Sequence, residues 1–386
     1  MMFTKLALRK LYHQSSSFTS LFPTSLLKPC KSIIPTTTMN NTKNRLIIDH
    51  SHHIMYMILL FGLLLISIFL TSPTNTPSSF PLQLSIFNPS KPLHETVYYK
   101  DDLERALTGA STENKTVIIT IVNKAYVEGD KAMLDLFLDG FWHGEGTREL
   151  VNHLLIVSMD QTSYERCKFL HLHCYKLETD GVDFGGEKMF MSQDFIKMMW
   201  RRTLFLSDVL KRGYNFIFTD TDVLWLRNPF PNLYSNQSID LQISTDKFNG
   251  SQWSEENPIN TGFYMIKSNT KTIALLDAWY AGKDNATGWK EQDVLIKLMK
   301  DGMFKQLGLS VRFLDTLYFS GFCDDSKDVN VVATVHANCC RSISAKLADL
   351  TALLHHWTRI NNAPPANQAS TPGWTQHMNC WDSWKI

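Results

Sequence analysis

Short apolar runs alternate with helix-spaced segments through the middle of the chain. The β-branched run 116–122 and the apolar run 154–159 have the composition of strands buried on both faces. Apolar residues recur at helical spacing in 131–142 and 195–210, and a third apolar run follows the second of these segments. The alternation of strands and helices predicts an α/β fold with an open, mostly parallel central sheet and flanking helices.

The third apolar run carries the strongest chemical signal. The segment Phe216–Thr219 leads directly into Asp220-Thr221-Asp222. Residues i and i+2 of a strand share a face, so we expect both carboxylates on one face where a buried strand ends. Two like charges there favour a bound cation, and oxygen ligands suit a divalent ion. The alternative interpretation is a pair of solvated loop carboxylates that close the strand.

Polar side chains follow the other predicted strands as well. They are Asn123, which begins a loop predicted at 123–129, and Asp160, Asp220 and Asp222. Ligands of open α/β sheets bind outside the carboxyl ends of the strands. The first strand is not followed by Gly-x-Gly-x-x-Gly, and the sequence holds no Gly-Lys-Ser/Thr loop. Classical dinucleotide and P-loop sites are therefore disfavoured, but a nucleotide can still bind where a metal, rather than a glycine-rich helix start, neutralises its diphosphate.

Two downstream segments add candidate ligands. A strand predicted at 331–335 delivers His336, and imidazole is an acceptable third ligand for manganese. A histidine held by ordinary hydrogen bonds is the alternative. Glu291, Gln292 and Asp293 begin a predicted helix, where acidic side chains favour the helix dipole and need no other role.

The N-terminal part of the chain predicts a membrane anchor. Residues 1–53 are rich in Ser, Thr and basic residues, which indicates a disordered cytosolic segment or, alternatively, an organelle transit peptide. Residues 54–70 carry no charge and predict a transmembrane signal anchor, with a buried helix as the alternative. The proline-rich residues 71–95 predict an extended stem. A folded domain at 96–360 and a loop-rich tail at 361–386 would follow.

Charge, cysteines and glycosylation sequons indicate a luminal protein. Basic residues precede the predicted anchor, which places the N-terminus in the cytosol, and the net charge of +1 disfavours nucleic-acid binding. Six of the seven cysteines follow the anchor, an even set typical of disulfides, with a zinc site as the alternative. The expected participants are Cys167, Cys174, Cys339 and Cys340. Asn-x-Ser/Thr sequons beyond the anchor lie at Asn114, Asn236, Asn249 and Asn285.

The ordered set of motifs resembles a known family. The segment Phe218–Phe230 contains the Asp-x-Asp, and it is followed by Asn260-Thr-Gly262, Glu291-Gln-Asp293 and His336-Ala-Asn-Cys-Cys340. Over roughly residues 93–354 the chain resembles the plant nucleotide-diphospho-sugar transferases of glycosyltransferase family 77. The resemblance implies a GT-A fold, a retaining mechanism and a UDP-sugar donor carrying arabinose, xylose or galactose. It also implies a cell-wall glycan or glycoprotein acceptor and a single-pass type II protein of the Golgi membrane.

The resemblance also implies residue roles. Asp220, Asp222 and His336 would hold Mn²⁺ or Mg²⁺, and Lys346 would meet the leaving phosphate, although the Lys-Pro-Trp usual in related enzymes is absent. The positions that would contact the nucleotide are Asn123, Lys124, Ala125, Tyr126 and Thr221. Those that would surround the sugar and acceptor are Asn260, Thr261, Gly262, Glu291, Gln292 and Asp293, with Gln292 and Asp293 as candidates to support the anomeric cation.

Two alternative functions fit parts of this pattern. Haloacid-dehalogenase-type phosphohydrolases also place Asp-x-Asp after an apolar strand. They usually begin with that strand, whereas two strands are predicted before it here, and this chain has Leu224-Trp225 where their motif has Thr or Val. A luminal glycan-binding or scaffold protein that keeps the fold without catalysis is the non-enzymatic alternative.

Overall fold

The computed structural model describes residues 99–233, 238–361 and 373–385. The predicted cytosolic segment, anchor and stem lie outside the described residues, and the domain boundaries stay predictions. In the described part of the chain, no helix combines the length and the apolar character needed to cross a membrane.

The described residues form ten strands, ten α-helices and three short 3₁₀ segments. The strands are β1 (Thr116–Val122), β2 (Leu154–Ser158), β3 (His173–Lys176), β4 (Asn215–Thr219), β5 (Val223–Trp225), β6 (Leu241–Thr245), β7 (Ile259–Ile266), β8 (Val311–Phe313), β9 (Phe319–Gly321) and β10 (Thr334–His336). The helices are α1 (Asp102–Ala110), α2 (Lys124–Val127), α3 (Met133–His143), α4 (Gln161–Phe169), α5 (Gln193–Lys211), α6 (Thr270–Ala281), α7 (Glu291–Lys300), α8 (Met303–Gln306), α9 (Ile343–Asn361) and α10 (Met378–Asp382). The 3₁₀ segments are Arg148–His153, Phe230–Asn232 and Gly282–Asn285.

Seven strands form the central sheet, in the order β3-β2-β1-β4-β7-β6-β8. Only β7 runs antiparallel to its neighbours, and the other pairings are parallel. The predicted α/β class with a mostly parallel sheet is therefore confirmed. The carboxyl ends of β1, β4 and β6 consequently lie along one edge of the sheet.

The other three strands form a second sheet, in the order β5-β10-β9. Strand β10 runs antiparallel to β5, so His336 pairs with Val223, the residue after Asp222. The backbone N–H of Ala337 donates to the Asp222 carbonyl across 3.0 Å. This pairing brings a histidine from late in the sequence to the Asp-x-Asp segment.

Alternate residues of β1 enter two different cores, which explains its continuous apolar composition. Val117 and Ile119 contribute to a cluster that contains Leu107 of α1 and Leu206 of α5. Ile118 contributes to a cluster on the opposite face, to which helix α3 supplies Leu134, Phe137, Leu138 and Phe141. Both faces of the sheet are therefore covered. Burial of each such aliphatic side chain stabilises the fold by about 1.5–3 kcal/mol.

The structure corrects the predicted position of the two carboxylates. Strand β4 ends at Thr219, and Asp220 and Asp222 belong to the turn that precedes β5 rather than to one strand face. The turn closes through a 3.2 Å hydrogen bond from the Val223 N–H to the Asp220 carbonyl. The Asp220 N–H donates to the Gly262 carbonyl of β7 across 2.7 Å, which fixes the turn against the sheet.

Two other local predictions also differ from the structure. The segment 123–129, predicted as a loop, contains the one-turn helix α2. The strand predicted at 331–335 begins only at Thr334 and ends at His336 itself. Both elements are short. The N–H groups of Lys124 and Ala125 in α2 have distant partners, Asp160 and Gly185, and β10 pairs with β5 and β9.

The predicted disulfides are confirmed. The pairs are Cys167–Cys174, Cys323–Cys339 and Cys340–Cys380. The zinc alternative is wrong for these cysteines because every one of them is in a disulfide. The sequon residues Asn114, Asn249 and Asn285 are exposed, and Asn236 lies outside the described residues.

Candidate active site

Asp220, Asp222 and His336 converge at the carboxyl edge of the sheet. His336 Nε2 lies 3.4 Å from Asp222 Oδ1 and 3.9 Å from Asp220 Oδ2. One ligand atom from each residue lies within 4.8 Å of the other two. Two carboxylates and an imidazole at this spacing suit a divalent ion such as Mn²⁺ or Mg²⁺.

Gly262 on β7 makes room for this convergence. A Cβ at this position would lie 2.3 Å from His336 Cε1 and 2.9 Å from Asp220 Oδ2. The backbone N–H of Gly262 donates to Asn260 Oδ1 across 2.8 Å, which holds the neighbouring side chain in place. Any side chain at this position would push the histidine away from the carboxylates.

Lys346, in the first turn of α9, is the cation nearest Asp222. Its Nζ lies 2.7 Å from Asp222 Oδ2. Burial raises the pKa of Asp222, but the charges of Lys346 and His336 outweigh it and hold that pKa well below its usual range. Burial lowers the pKa of Lys346, and the charge of Asp222 more than reverses that change. Both groups are therefore charged at neutral pH.

Arg202 of α5 is a second buried cation at the site. Its Nη1 donates to Asp220 Oδ1 across 2.8 Å and its Nη2 to Glu291 Oε1 across 2.6 Å. Sequence reasoning missed this residue. The signal was present, because Met198, Arg202 and Leu206 recur at intervals of four on the apolar face of the predicted helix. A basic residue on a buried face needs an acidic partner.

Glu291 and Gln292 join the site through Thr261. The Thr261 hydroxyl donates to Glu291 Oε1 across 2.9 Å, and the Thr261 N–H donates to Gln292 Oε1 across 3.1 Å. Glu291 Oε2 is buried without a protein hydrogen bond. Asp293 instead accepts a hydrogen bond from the Lys290 N–H at the start of α7, across 3.2 Å.

A cavity of about 300 Å³ connects these groups. The predicted site residues that line it are Asn123, Tyr126, Asp220, Thr221, Asp222, Asn260, Thr261, Gly262, Glu291, Gln292, His336 and Lys346. Lys124, Ala125 and Asp293 are not among its lining residues. The backbone N–H groups of Lys124 and Ala125 instead hold Asp160 Oδ2 and the Gly185 carbonyl, at 2.6 and 3.1 Å. These two residues position the segment that borders the cavity.

The Asn123 side chain, directly after β1, connects this segment to residues 184–186. Its amide nitrogen donates to the carbonyls of Phe184 and Gly186, at 2.7 and 3.2 Å. Its side-chain oxygen is buried without a protein partner. This acceptor at the cavity suits an N–H or O–H donor of a bound ligand.

Asp246 is another lining residue that sequence reasoning missed. It follows β6 directly, and its Oδ1 accepts hydrogen bonds from Asn260 and Asn338, each at 2.8 Å. A carboxylate directly after an apolar strand is the signal that identified Asp220. The run 241–245 alternates apolar and polar residues, so it lacks the continuous apolar composition of the predicted buried strands.

Comparison with known sequences identifies the family. The sequence profile described as nucleotide-diphospho-sugar transferase matches residues 149–350, more than half of the chain. The chain belongs to this family. It is therefore a glycosyltransferase, and the predicted resemblance to plant nucleotide-diphospho-sugar transferases is confirmed. The phosphohydrolase alternative is set aside by the same match.

Individual relatives of this nucleotide-diphospho-sugar transferase come from Arabidopsis thaliana. The uncharacterized protein At1g28695 is 56% identical over 298 residues, which cover 76% of this chain and 87% of the relative. Beta-arabinofuranosyltransferase RAY1 is 27% identical over 183 residues, covering 46% of this chain and 32% of RAY1. A solved galactosyltransferase, LgtC, aligns with a TM-score of 0.40 and 11% identity over 66% of this chain and 97% of LgtC.

Proposed function

We propose that the protein is a metal-dependent, retaining GT-A glycosyltransferase. It would move a sugar from a UDP-sugar to a cell-wall glycan or glycoprotein. The observation that carries this proposal is the convergence of Asp220, Asp222 and His336 on one cavity, with Lys346 beside them. The relative named as a beta-arabinofuranosyltransferase favours arabinose as the transferred sugar, with xylose and galactose as the other donors to test.

Asp220, Asp222 and His336 would hold Mn²⁺ or Mg²⁺. When bound, such an ion neutralises the donor diphosphate and the charge that develops on the leaving group. The donor set fits this role because the ligand atoms already face one another and Gly262 leaves the space between them open. Lys346 would add a positive charge on the same side, where it stabilises the departing phosphate.

The other site residues would position the sugar. The Thr261 N–H donates to Gln292 Oε1 and thereby orients the Gln292 amide. Arg202 orients Glu291 through a charge-assisted hydrogen bond. A held amide and carboxylate near the anomeric carbon can stabilise an oxocarbenium-like centre electrostatically. Gln292 is our candidate for that role. Asn123, directly after β1, and Tyr126, in α2, would face the nucleoside.

We also propose a luminal, single-pass type II location in the Golgi membrane. Disulfide pairing of Cys167, Cys174, Cys323, Cys339, Cys340 and Cys380 supports it, since disulfides persist in oxidising compartments. The exposed sequons at Asn114, Asn249 and Asn285 give the glycosylation machinery access. A mobility shift after glycosidase treatment of the protein isolated from cell membranes is the expected result, and its absence would contradict the location.

UDP release by the purified full-length chain tests the activity. UDP-arabinofuranose, UDP-xylose and UDP-galactose are supplied separately with Mn²⁺ and with EDTA. We expect one donor to be turned over with Mn²⁺ alone, and Asp222→Asn to abolish that turnover. Asp301→Asn, in the exposed Lys297–Asp301 ion pair, is the matched control and should keep full activity.

The alternatives predict different results in the same assay. A glycan-binding protein without catalysis would release no UDP from any of the three donors and would show no Mn²⁺-dependent UDP binding by calorimetry. Full turnover by Asp222→Asn would remove the metal assignment while leaving the transferase activity in place.

A further inference from the structure

The C-terminal segment brings an aromatic side chain to the active-site cavity. Trp384 lines this cavity, although it lies well beyond the region 149–350 that the family profile matches. The indole is 47% exposed. Trp381, one helical turn earlier, is 68% exposed and does not line the cavity. The two tryptophans therefore differ in their position relative to the site rather than in their chemistry.

Trp384 is held in a fixed orientation. The Cys340–Cys380 disulfide ties the tail to the segment that follows β10. Trp384 Nε1 donates to the Cys339 carbonyl across 2.7 Å, and the Arg341 N–H donates to Ser383 Oγ across 3.0 Å. The Arg341 guanidinium carbon lies 4.3 Å from the centroid of the indole ring. Because these bonds already restrict the side chain, little conformational entropy remains to be lost when a ligand contacts it.

A second aromatic side chain borders the same cavity. Phe190 is 39% exposed, and Lys290 Nζ lies 5.5 Å from the centroid of its ring. Glu187, also a lining residue, is held by the N–H of Ile343 across 2.9 Å. Half-exposed rings beside charged hydrogen-bonding groups match the surface of a saccharide, which has apolar C–H faces and hydroxyl edges.

Trp384 is separate from the residues assigned to the donor diphosphate. The diphosphate would lie at Asp220, Asp222, His336 and Lys346, and the nucleoside at the end of β1. In the described residues, no hydrogen bond or ion pair connects Trp384 to any of the four diphosphate residues. The cavity of about 300 Å³ is at the lower end of sizes that enclose a small ligand, so a UDP-sugar would fill its interior. The acceptor must then approach through the opening.

We propose that Trp384, oriented by Arg341 and the Cys340–Cys380 disulfide, forms the platform on which a sugar ring of the acceptor saccharide stacks. This inference rests on the proposed glycosyltransferase function, and it assigns acceptor binding to a residue of the C-terminal tail. Trp384 is a binding residue in this role and takes no part in breaking the donor bond.

The test compares two reactions of the full-length chain. Hydrolysis of the UDP-sugar without acceptor reports on the donor and metal groups, and transfer to methyl glycosides of arabinose, xylose, galactose and fucose reports on both sites. We expect Trp384→Ala to raise the acceptor KM about tenfold, in the range found when an aromatic side chain that a bound partner covers is truncated. Donor hydrolysis should stay within about twofold of the native rate. Trp384→Phe keeps a ring and should retain most acceptor affinity, and Trp381→Ala should match the native protein.

Several results would overturn the platform. One is an acceptor KM of Trp384→Ala equal to that of the native protein. Another is an equal loss of acceptor affinity in Trp384→Ala and Trp381→Ala. A third is a parallel fall in the rates of hydrolysis and transfer, which would indicate a structural role.

Saturation-transfer NMR with the same methyl glycosides measures saccharide binding independently of turnover. If the native chain hydrolyses no UDP-sugar, the proposed function fails. A saccharide signal that is present in the native chain and lost in Trp384→Ala would still support the platform. Equal saccharide signals in the native protein and in Trp384→Ala, or no signal in either, would refute the platform.

Discussion

Arg202 donates to Asp220 across 2.8 Å from within the buried face of α5. The side chain of Arg202 is 7% exposed, and that of its second partner, Glu291, is 2% exposed. Removing one member of a buried ion pair leaves uncompensated charge and lowers the free energy of unfolding by about 3–5 kcal/mol. We therefore expect Arg202→Gln to destabilise the protein by that amount and to abolish donor turnover. Urea denaturation followed by circular dichroism measures the change.

The neighbouring arginine provides the control for this prediction. Within the described residues, Arg201 makes one side-chain hydrogen bond, from Nε to the Glu178 carbonyl across 2.7 Å, near the surface. Arg201→Gln should change the free energy of unfolding by less than about 1 kcal/mol. Equal destabilisation by the two substitutions would show that the buried position of Arg202 has no special energetic role.

Gly262→Ala tests the close approach of three side chains. The added methyl would lie 2.3 Å from His336 Cε1, so the imidazole must move away from the carboxylates. We expect Mn²⁺ affinity to fall at least about tenfold, which corresponds to the loss of about 1.4 kcal/mol of binding free energy. Calorimetric titration measures it. Gly373→Ala is the control because no atom of the described residues lies within 4 Å of the added methyl. Unchanged affinity in Gly262→Ala would contradict the site geometry.

Mn²⁺ should stabilise the folded protein if the ion binds at Asp220, Asp222 and His336. An ion present at 100 times its dissociation constant raises the free energy of unfolding by about 2.7 kcal/mol. Thermal denaturation with and without EDTA should show this increase in the native chain and not in His336→Ala. His377→Ala removes a histidine of the tail that is paired with Asp325, away from the proposed metal ligands, and should keep the increase. Stabilisation of His336→Ala by Mn²⁺ would place the ion elsewhere.

The Arg212–Asp101 pair predicts an acid-dependent contribution to stability. Hydrogen bonds from Arg212 and from the Glu104 N–H lower the pKa of Asp101 from 3.8 to about 2. The folded pKa lies below the unfolded one, so the stabilisation is complete above about pH 4 and is lost as pH falls through 2. Asp101 is 42% exposed, and solvent screening limits the pair to about 0.5–1 kcal/mol.

Asp101→Asn isolates this charge effect. The amide oxygen can still cap α1 by accepting from the Glu104 N–H, while the ion pair with Arg212 is lost. Denaturation at pH 7 should show the native chain to be more stable, and the difference should shrink toward pH 2. Asp102→Asn, which removes a more exposed pair with Arg105, should show little difference at either pH. A difference for Asp101→Asn that is independent of pH would contradict the charge assignment.

Local patterns predicted the long elements of the fold correctly. The β-branched run 116–122 coincides with β1, and the helix predicted at 195–210 lies within α5, because burial on one or two faces imposes a period on the side chains. Strands β5, β9 and β10 have three residues each, too few for a period to be read. Their pairing depends on partners far away in the sequence.

The sequence by itself determined the chemistry that is available to this protein. The carboxylates at 220 and 222, the histidine at 336, the lysine at 346 and an even set of cysteines after the apolar segment are all visible without coordinates. Their order along the chain also carried the family resemblance. Charge and ligand preference follow from residue type, so these inferences needed no fold.

Only the tertiary structure decided how these groups meet. It placed Asp220 and Asp222 in a turn, brought His336 to them through the β5–β10 pairing and set Arg202 between Asp220 and Glu291. It also chose the disulfide partners and brought Trp384 to the cavity. The physical reason is that packing and strand pairing join residues by distance in space, and neither residue type nor local spacing encodes that distance.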